Sequence, residues 1–267
     1  MTMRIAVLGG GVMGETLISG FLRYVTPEPL ISVVEKRDER AAEIVSRYDV
    51  CISDGPEAVR GADVVVLVVK PQDMGALLDE VGPFVETDGL VISIAAGIPT
   101  SFIAKRVPLG VNIVRAMPNT PAKVDRSVTG VSAASTCTPE ALALAVRLLQ
   151  SVGTVIEVPE EQQDAVTAVS GSGPAYLFYL AEAMIQSAVD LGIDLATAQR
   201  MVHHTLLGAA TLLESSGETA EALRRNVTSP NGTTAAAIGT MEQLGVRGSI
   251  VSAIVAARDR SRELSGG

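Results

Sequence analysis

The segment RIAVLGGGVMGE, residues 4–15, decides the fold of this chain. A short apolar run leads into Gly9-x-Gly11-x-x-Gly14, and a helical stretch continues through ETLISGFL, residues 15–22. Between a strand and a helix, the first glycine forms the tight turn, the second lets the backbone approach a pyrophosphate, and the third lets the helix pack on the strand. The helix N-terminus offers amide groups and partial positive charge to that pyrophosphate. The segment therefore predicts a dinucleotide-binding unit rather than a glycine turn without a ligand.

The same glycines almost fit a mononucleotide-binding loop, in which a lysine must follow the last glycine. Here Glu15 follows it, and a carboxylate at that position would repel phosphates, so ATP and GTP are excluded. Which dinucleotide binds stays open. Glu35, at the end of the second apolar run, is placed to bind a ribose 2′-hydroxyl and favours NAD, whereas Lys36 and Arg37 can bind a 2′-phosphate and favour NADP.

Apolar runs alternate with helical stretches over the first half of the chain. Continuous runs bounded by Gly, Pro or charge are typical of strands that are buried on both faces. Such runs are residues 4–9, 31–35, 62–69, 89–96 and 111–117. Two further strands, residues 127–134 and 154–158, are expected to flank a helix over residues 139–150 and to extend the sheet. The pattern predicts the α/β class, with an N-terminal Rossmann-like, doubly wound parallel sheet.

The pattern changes near residue 160, where helical periodicity takes over. Residues 174–192 and 196–217 are nearly apolar around the whole helix. Because an acidic chain does not expose such helices, we expect them to pack against a second copy in a homodimer. A self-contained helical bundle in a monomer is the alternative. The expected domains are a dinucleotide-binding domain over residues 1–159 and an all-α domain for substrate binding and dimerisation over residues 160–267.

Composition narrows the range of partners. A formal net charge of −9 argues against nucleic acid or an anionic membrane surface, since both call for a clustered basic face. Cys51 and Cys137 provide neither a disulfide framework nor a metal-ligand spacing, which favours a reducing cytoplasm and no metal. Apolar runs such as residues 64–69 are far shorter than the ~20 residues that cross a bilayer. His203 and His204 point about 100° apart on a helix, so we expect packing or interface roles for them.

Several polar or glycine-containing segments follow predicted strands, where open parallel sheets bind their ligands. They are VVKPQD (68–73), SIAAGIP (93–99) and VRAMPNTPA (114–122), and we expect them to form the wall of one site. The segment AVSGSGPAYLF, residues 168–178, is either a capped helix entrance or part of that site. The segment NVTSPNGTT, residues 226–234, gathers hydroxyl and amide groups at a helix start, which suits an anion.

With these segments assembled, the chain resembles Δ1-pyrroline-5-carboxylate reductases, which catalyse the last step of proline biosynthesis. The matching segments are VLGGGVMGE, VVKPQD, SIAAGI, RAMPNTPA, AVSGSGPAYLF and NVTSPNGTT, in the family's order over nearly the whole chain. The resemblance implies a Rossmann domain, a helical dimerisation domain, and reduction of the cyclic imine to L-proline with NADPH or NADH. Larger rings of dimers occur in the family.

The resemblance also implies roles for individual residues. The cofactor would be bound by Gly9, Gly11, Met13 and Gly14 at the pyrophosphate and by Val69, Lys70, Pro71, Ala95, Ala96 and Gly97 elsewhere. The nicotinamide and substrate would lie near Met117 and Asn119, and the substrate would be surrounded by Ser229, Thr233 and Thr234, with Thr234 at the ring nitrogen. Asn231 stands where the family commonly has glycine. Since Asn tolerates a left-handed backbone, we expect the turn to survive.

Two other functions are consistent with the same fold. A reductase of another imine or keto acid would need a general acid, for which Lys70 and Lys123 are the candidates by position. A non-catalytic NADPH-binding sensor would bind the dinucleotide without turnover, and it would leave the segments at 168–178 and 226–234 without a purpose.

Overall fold

The computed structural model describes residues 2–264 and divides the chain into two compact units. The first unit holds the residues up to Ser172 together with those from Ala257 onward, and the second unit is Gly173–Ala256. The boundary expected between residues 159 and 160 lies before this division.

The first unit is built on an eight-stranded sheet with the strand order β3-β2-β1-β4-β5-β6-β7-β8. The strands are β1 Arg4–Leu8, β2 Leu30–Val34, β3 Cys51–Ile52, β4 Val64–Leu67, β5 Leu90–Ser93, β6 Asn112–Met117, β7 Ser127–Ala133 and β8 Gly153–Glu157. Every strand expected from the sequence is present, and the Rossmann-like class is confirmed. The sequence does not predict β3, because its two residues are exposed and no apolar run marks it.

The direction of the last two strands differs from the expected parallel arrangement. Strands β1 to β6 are parallel to one another, β7 is antiparallel to β6, and β8 is parallel to β7. Parallel neighbours need a crossover connection of about a dozen residues or more. Residues 118–126, between β6 and β7, are too few for such a crossover, so the chain must return in the opposite direction. The sheet is therefore mostly parallel.

Helices connect the strands and continue through the second unit. They are α1 Val12–Tyr24, α2 Asp38–Arg47, α3 Gly55–Val59, α4 Met74–Val81, α5 Thr100–Ala104, α6 Pro139–Leu149, α7 Gln163–Val166, α8 Gly173–Asp190, α9 Leu195–Ser216, α10 Ala220–Asn226, α11 Thr233–Gln243 and α12 Val246–Leu264. Side-chain caps set several starts: Asp54 accepts the Glu57 N–H at 2.8 Å, and Thr138 accepts the Ala141 N–H at 3.2 Å. Such caps satisfy amide groups that have no partner within the helix.

Apolar cores on the two faces of the sheet explain why the strands are continuous apolar runs. In β4, Val64 and Val66 belong to the core that contains Leu17 and Phe21 of α1, whereas Val65 and Leu67 belong to the core that contains Met74 of α4. Successive side chains of a strand point to opposite faces, so a strand covered on both faces must be apolar at every position. Each fully buried valine contributes about 1.5–3 kcal/mol relative to an exposed one. This burial holds the carboxyl ends of the strands, and the loops that follow them, in fixed positions.

The second unit is entirely helical, and it exposes much apolar surface in the single chain. The side chains of Leu177, Phe178 and Tyr179 on α8 are more than half exposed, as is Leu207 on α9. Within one chain, therefore, α8 exposes apolar side chains on much of its surface. Contiguous exposed apolar surface of this extent marks an interaction site.

None of the helices described over residues 2–264 has the length and apolar content needed to span a bilayer. Over the same residues, no group of three or more His, Cys, Asp or Glu side chains is placed to hold a metal ion.

Candidate dinucleotide and substrate site

The three glycines of the first turn have three separate steric roles. Gly9 has φ +119°, and a Cβ there would lie 2.6 Å from the Val68 carbonyl oxygen. A Cβ at Gly14 would lie 2.0 Å from the Gly9 carbonyl oxygen, so this glycine lets α1 pack against the turn. A Cβ at Gly11 would meet no described atom within 4 Å, so open space faces this residue. Open space at the second glycine and closed space at the other two fit a pyrophosphate resting on the backbone.

A fourth glycine, Gly10, is equally constrained, although the motif does not single it out. A Cβ there would lie 2.5 Å from Ile44 Cδ1. Its carbonyl accepts the Arg40 Nε–H at 2.8 Å, and a Cβ there would also lie 3.2 Å from Glu35 Oε2. Side chains that follow β2 and that belong to α2 thus pack closely around Gly10. The run of three consecutive glycines was the only sequence signal for it.

The start of α1 is free to bind an anion. Gly11 is its N-cap residue, and no side chain among the described residues caps this helix. Glu15, in the first turn, is paired with Arg40 and with Arg47, whose Nη1 lies 2.8 Å from Oε1. Burial disfavours the Glu15 carboxylate, but hydrogen bonds from the two arginines outweigh that effect and lower its pKa. The negative charge next to the glycine turn is therefore compensated within the protein.

Strand order brings the expected cofactor segments to one edge. Strands β1, β4, β5 and β6 are neighbours, so the glycine turn, residues 69–71, residues 95–97 and Met117 all follow adjacent parallel strands. Ala95 is buried, Gly97 adopts φ +74°, and Lys70 is exposed. The side chains of residues 95 and 96 after β5 are small, and their contact with the cofactor stays a prediction.

Asn119 lies in the connection after β6 and is 9% exposed. Its Oδ1 accepts hydrogen bonds from the Val128 N–H at 3.1 Å and from the Ser127 hydroxyl at 3.2 Å. Its Nδ2 donates to the Ser170 carbonyl at 3.0 Å. Three of the four hydrogen bonds that an amide side chain can form are thus made to the protein itself.

The segment around Ser170 forms a π turn, Thr167–Gly171, instead of a loop before a capped helix. The Ser172 N–H donates to the Thr167 carbonyl at 2.8 Å, and α8 begins at the next residue. Pro174 has no N–H, so it offers no donor for the Ser170 carbonyl, which accepts the Asn119 amide. A Cβ at Gly171 would lie 2.8 Å from Met117 Cε, so this glycine allows the turn to pack on Met117. Single π turns inside helices are frequent at functional sites.

A buried arginine lies in β6, two residues before Met117. Arg115 is 6% exposed, and its guanidinium lies 3.8 Å from Glu160 and 3.9 Å from Asp164. Burial lowers the Arg115 pKa from its ordinary value, while the two carboxylates oppose that shift. Asp164 also accepts the Ser261 hydroxyl at 2.7 Å, which ties the end of α12 to α7. The sequence signal for this network is an arginine within the apolar run VNIVRAM, residues 111–117.

The expected substrate residues lie in the second unit, at the start of α11. The Gly232 N–H donates to the Ser229 carbonyl at 3.0 Å, and Asn231 adopts φ +59°, so the turn survives without the family glycine, as expected. A Cβ at Gly232 would lie 2.4 Å from Ser229 Oγ. No side chain among the described residues caps α11, Ser229 and Thr233 are exposed, and Thr234 is half-buried. His203 and His204 are exposed on α9.

Comparison with known proteins gives consistent matches along the chain. Residues 160–264 match the family described as pyrroline-5-carboxylate reductase dimerisation, and residues 4–97 match one described as NADP oxidoreductase, coenzyme F420-dependent. The pyrroline-5-carboxylate reductase of Corynebacterium melassecola is 40% identical over 264 residues, covering 97% of this chain and 98% of that protein. That of Pseudomonas aeruginosa is 40% identical over 266 residues, with 99% and 97% covered.

A solved structure extends this similarity to the fold. The pyrroline-5-carboxylate reductase of Coxiella burnetii has a TM-score of 0.92 and 36% identity, with 99% of both chains covered. The match over residues 160–264 assigns that region to subunit association in a homo-oligomer. The chain therefore belongs to the pyrroline-5-carboxylate reductase family of NAD(P)-dependent oxidoreductases.

Proposed function

We propose that this chain reduces L-1-pyrroline-5-carboxylate to L-proline, the final step of proline biosynthesis. Identity of 40% with a named reductase over 97% of the chain carries the proposal. The bound dinucleotide supplies a hydride to the imine carbon, and a proton from solvent completes the amine. NADPH is the proposed cofactor, with NADH as the alternative, and NADP is the dinucleotide in the description of the family matched by residues 4–97.

The pyrophosphate is proposed to rest on the glycine turn and the start of α1. Gly9, Gly11, Met13 and Gly14 would hold it, because Gly11 faces open space and α1 begins without a side-chain cap among the described residues. The segments after β4 and β5 are proposed to make the remaining contacts to the cofactor. The residues concerned are Val69, Lys70, Pro71, Ala95, Ala96 and Gly97.

The substrate carboxylate is proposed to bind at the start of α11. The free amide groups of that helix start and the hydroxyls of Ser229 and Thr233 suit an anion in a chain of net charge −9, which needs local capture. Thr234 would hydrogen-bond the ring nitrogen, and Met117 and Asn119 would border the nicotinamide. Hydride transfer to an imine depends on close positioning more than on a protein base, which explains why the segment holds no titratable side chain.

Subunit association is proposed to occur through the C-terminal helices of two chains, over residues 160–267, with residues 1–159 as the dinucleotide-binding domain. The exposed apolar side chains of α8 and α9 support a dimer built in this way. A ring of such dimers is a further possibility for the assembly, and the cytoplasm is the proposed compartment, consistent with two free cysteines.

The test is to mix the purified protein with L-pyrroline-5-carboxylate and to follow NADPH and NADH oxidation by near-ultraviolet absorbance. Oxidation that depends on the imine, together with proline formation measured by chromatography, is the expected result. Dinucleotide binding without oxidation would overturn the proposal in favour of a sensor, and oxidation only with another imine or a keto acid would overturn it in favour of a different reductase.

A further inference from the structure

The segment after β2 carries the one acidic side chain and the two basic side chains that leave the choice of dinucleotide open. Glu35 follows β2 directly and lies against the glycine turn, since a Cβ at Gly10 would be 3.2 Å from its Oε2. Lys36 and Arg37 come next and are exposed. Whichever of these side chains is available to a ligand decides how the adenine ribose is recognised.

The carboxylate of Glu35 is already occupied by donors from the protein. Its Oε1 accepts the main-chain N–H of Arg37 at 3.0 Å and the Nε–H of the same arginine at 3.0 Å. Its Oε2 accepts the Arg37 Nη2–H at 3.2 Å. An ionised carboxylate offers about four acceptor sites, so these three bonds use most of its capacity.

The exposure of the two side chains also indicates that Glu35 is unavailable to a ligand and that Arg37 is available. The Glu35 side chain is only 8% exposed, whereas the Arg37 side chain is 66% exposed. A carboxylate that binds a ribose 2′-hydroxyl must present a vacant acceptor to solvent before the dinucleotide arrives. To do so, Glu35 would have to break bonds to Arg37.

Arg37, in contrast, keeps donors for a ligand. Two of the five N–H groups of a guanidinium are used by Glu35, and the others project from an exposed side chain. Arg40, the next arginine along the chain, is held by Glu15, Glu43 and the Gly10 carbonyl, so it serves the turn itself. The cations that remain available are Arg37 and Lys36.

We propose that Glu35 acts as an anchor that presents Arg37 to the 2′-phosphate of NADP(H), so that Arg37 makes this chain prefer dinucleotides with that phosphate over NAD(H). A guanidinium held along one edge by two hydrogen bonds to a carboxylate is already ordered and loses little freedom on binding phosphate. The proposal rests on the proposed function for the location of the dinucleotide at the glycine turn. It does not depend on which imine is reduced.

The test uses fragments that lack the nicotinamide, so it is independent of turnover. Isothermal titration of the full-length protein with 2′,5′-ADP and with 5′-AMP compares ligands that differ by the 2′-phosphate alone. We expect 2′,5′-ADP to bind at least about tenfold more tightly, as a charge-assisted hydrogen bond to phosphate implies. Equal affinities in the unmodified protein would overturn the proposal, whether or not the reductase assay succeeds.

Two variants with the same change in net charge identify the residue responsible. Arg37→Met is expected to weaken 2′,5′-ADP by about tenfold or more and to leave 5′-AMP within about twofold. Lys36→Met, which removes a neighbouring charge and leaves the three bonds between Arg37 and Glu35 in place, is expected to weaken 2′,5′-ADP much less. An equal loss of 2′,5′-ADP affinity in the two variants would overturn the proposal, because it would show that general positive charge, rather than the anchored arginine, attracts the 2′-phosphate.

A third variant separates the two roles of Glu35. If Glu35 were a ribose acceptor, Glu35→Gln would weaken NADH and 5′-AMP, because an amide is a poorer acceptor for a hydroxyl donor. If it only anchors Arg37, Glu35→Gln leaves those two affinities unchanged or raises them. A clear loss of NADH affinity in Glu35→Gln would overturn the proposal, with circular dichroism establishing that the variant is folded.

Discussion

The side-chain amide of Asn119 donates a 3.0 Å hydrogen bond to the main-chain carbonyl of Ser170, which joins the connection after β6 to the π turn before α8. The N–H that would bond this carbonyl in an α-helix is missing, because residue 174 is a proline. Two segments that the sequence brings forward separately, VRAMPNTPA and AVSGSGPAYLF, are therefore parts of one hydrogen-bonded structure.

Replacing Asn119 with Asp tests this connection. The carboxylate can still accept from Ser127 and Val128, but it cannot donate to Ser170 and instead places negative charge against a carbonyl. We expect the free energy of unfolding to fall by about 1–3 kcal/mol, as for a buried acceptor left without its donor. We also expect a lower kcat with little change in dinucleotide affinity, measured by urea unfolding, steady-state kinetics and calorimetry.

Ser127→Ala is the matched control for Asn119→Asp. It removes the bond to Asn119 Oδ1 and the acceptor of the Asn119 main-chain N–H but leaves the bond to Ser170, so kcat should stay close to that of the unmodified protein. A loss of kcat in Ser127→Ala as large as that in Asn119→Asp would mean that the Ser170 bond has no special role.

Two glycines of the first turn should respond differently to alanine. In Gly14→Ala the new Cβ would lie 2.0 Å from the Gly9 carbonyl oxygen, so α1 must move and the protein should lose at least about 1–3 kcal/mol of stability. In Gly11→Ala the Cβ enters open space at a helix N-cap, where Gly and Ala differ by no more than about 1 kcal/mol. Stability should therefore be largely retained.

Although Gly11→Ala should remain stable, it should bind the dinucleotide less tightly. Because the space at Gly11 is where the backbone approaches the pyrophosphate, we expect Gly11→Ala to weaken NADPH by about tenfold or more, measured by calorimetry on folded protein. If Gly11→Ala bound NADPH normally, the pyrophosphate would have to lie elsewhere.

The sheet and the glycine turn could be predicted because each depends on a local pattern. Apolar runs covered on both faces indicate strands, and Gly9, Gly11 and Gly14 stand at spacings set by backbone geometry. The reversal at β7 could not be read from its own residues, since an apolar run is the same in both directions. It follows instead from the short connection of residues 118–126.

The pairing of Glu35 with Arg37 could not be predicted from the sequence, for a different reason. Glu35 and Arg37 are two residues apart, and that spacing allows either a carboxylate free for ribose or a carboxylate bound by its neighbour. In the structure the carboxylate is bound by its neighbour. The π turn was equally hidden, because Ser-Gly-Ser-Gly-Pro is compatible with a capped helix start, and the donor to the Ser170 carbonyl comes from Asn119, far away in sequence.

Acid should weaken the coupling of α1 to α2 through Glu15. The pKa of this carboxyl is lowered in the folded chain, so the folded state binds its proton less tightly than the unfolded state does. The stabilisation is therefore present at neutral pH and is lost as the pH falls through the folded pKa. We expect Glu15→Gln to be less stable than the unmodified protein at pH 7, and the difference to shrink in acid.

Urea unfolding at a series of pH values measures that difference. Glu39→Gln, at an exposed position in the first turn of α2, is the control and should follow the unmodified protein more closely than Glu15→Gln does. A stability difference for Glu15→Gln that stays constant with pH would show that packing, rather than the charge, accounts for it.

Thr234 should matter for turnover and not for dinucleotide binding. If its hydroxyl bonds the ring nitrogen during hydride transfer, Thr234→Ala should lower kcat by roughly 10- to 100-fold, the value of a hydrogen bond to a charged group, while the NADPH affinity stays within about twofold.

Thr234→Ser keeps the hydroxyl and should recover most of the activity. Thr240→Ala, on the same helix, removes a hydroxyl that bonds the Ala236 carbonyl and should leave kcat unchanged. Equal turnover in Thr234→Ala and the unmodified protein would remove this hydroxyl from the mechanism and leave the amide groups at the start of α11 as the main contact to the substrate.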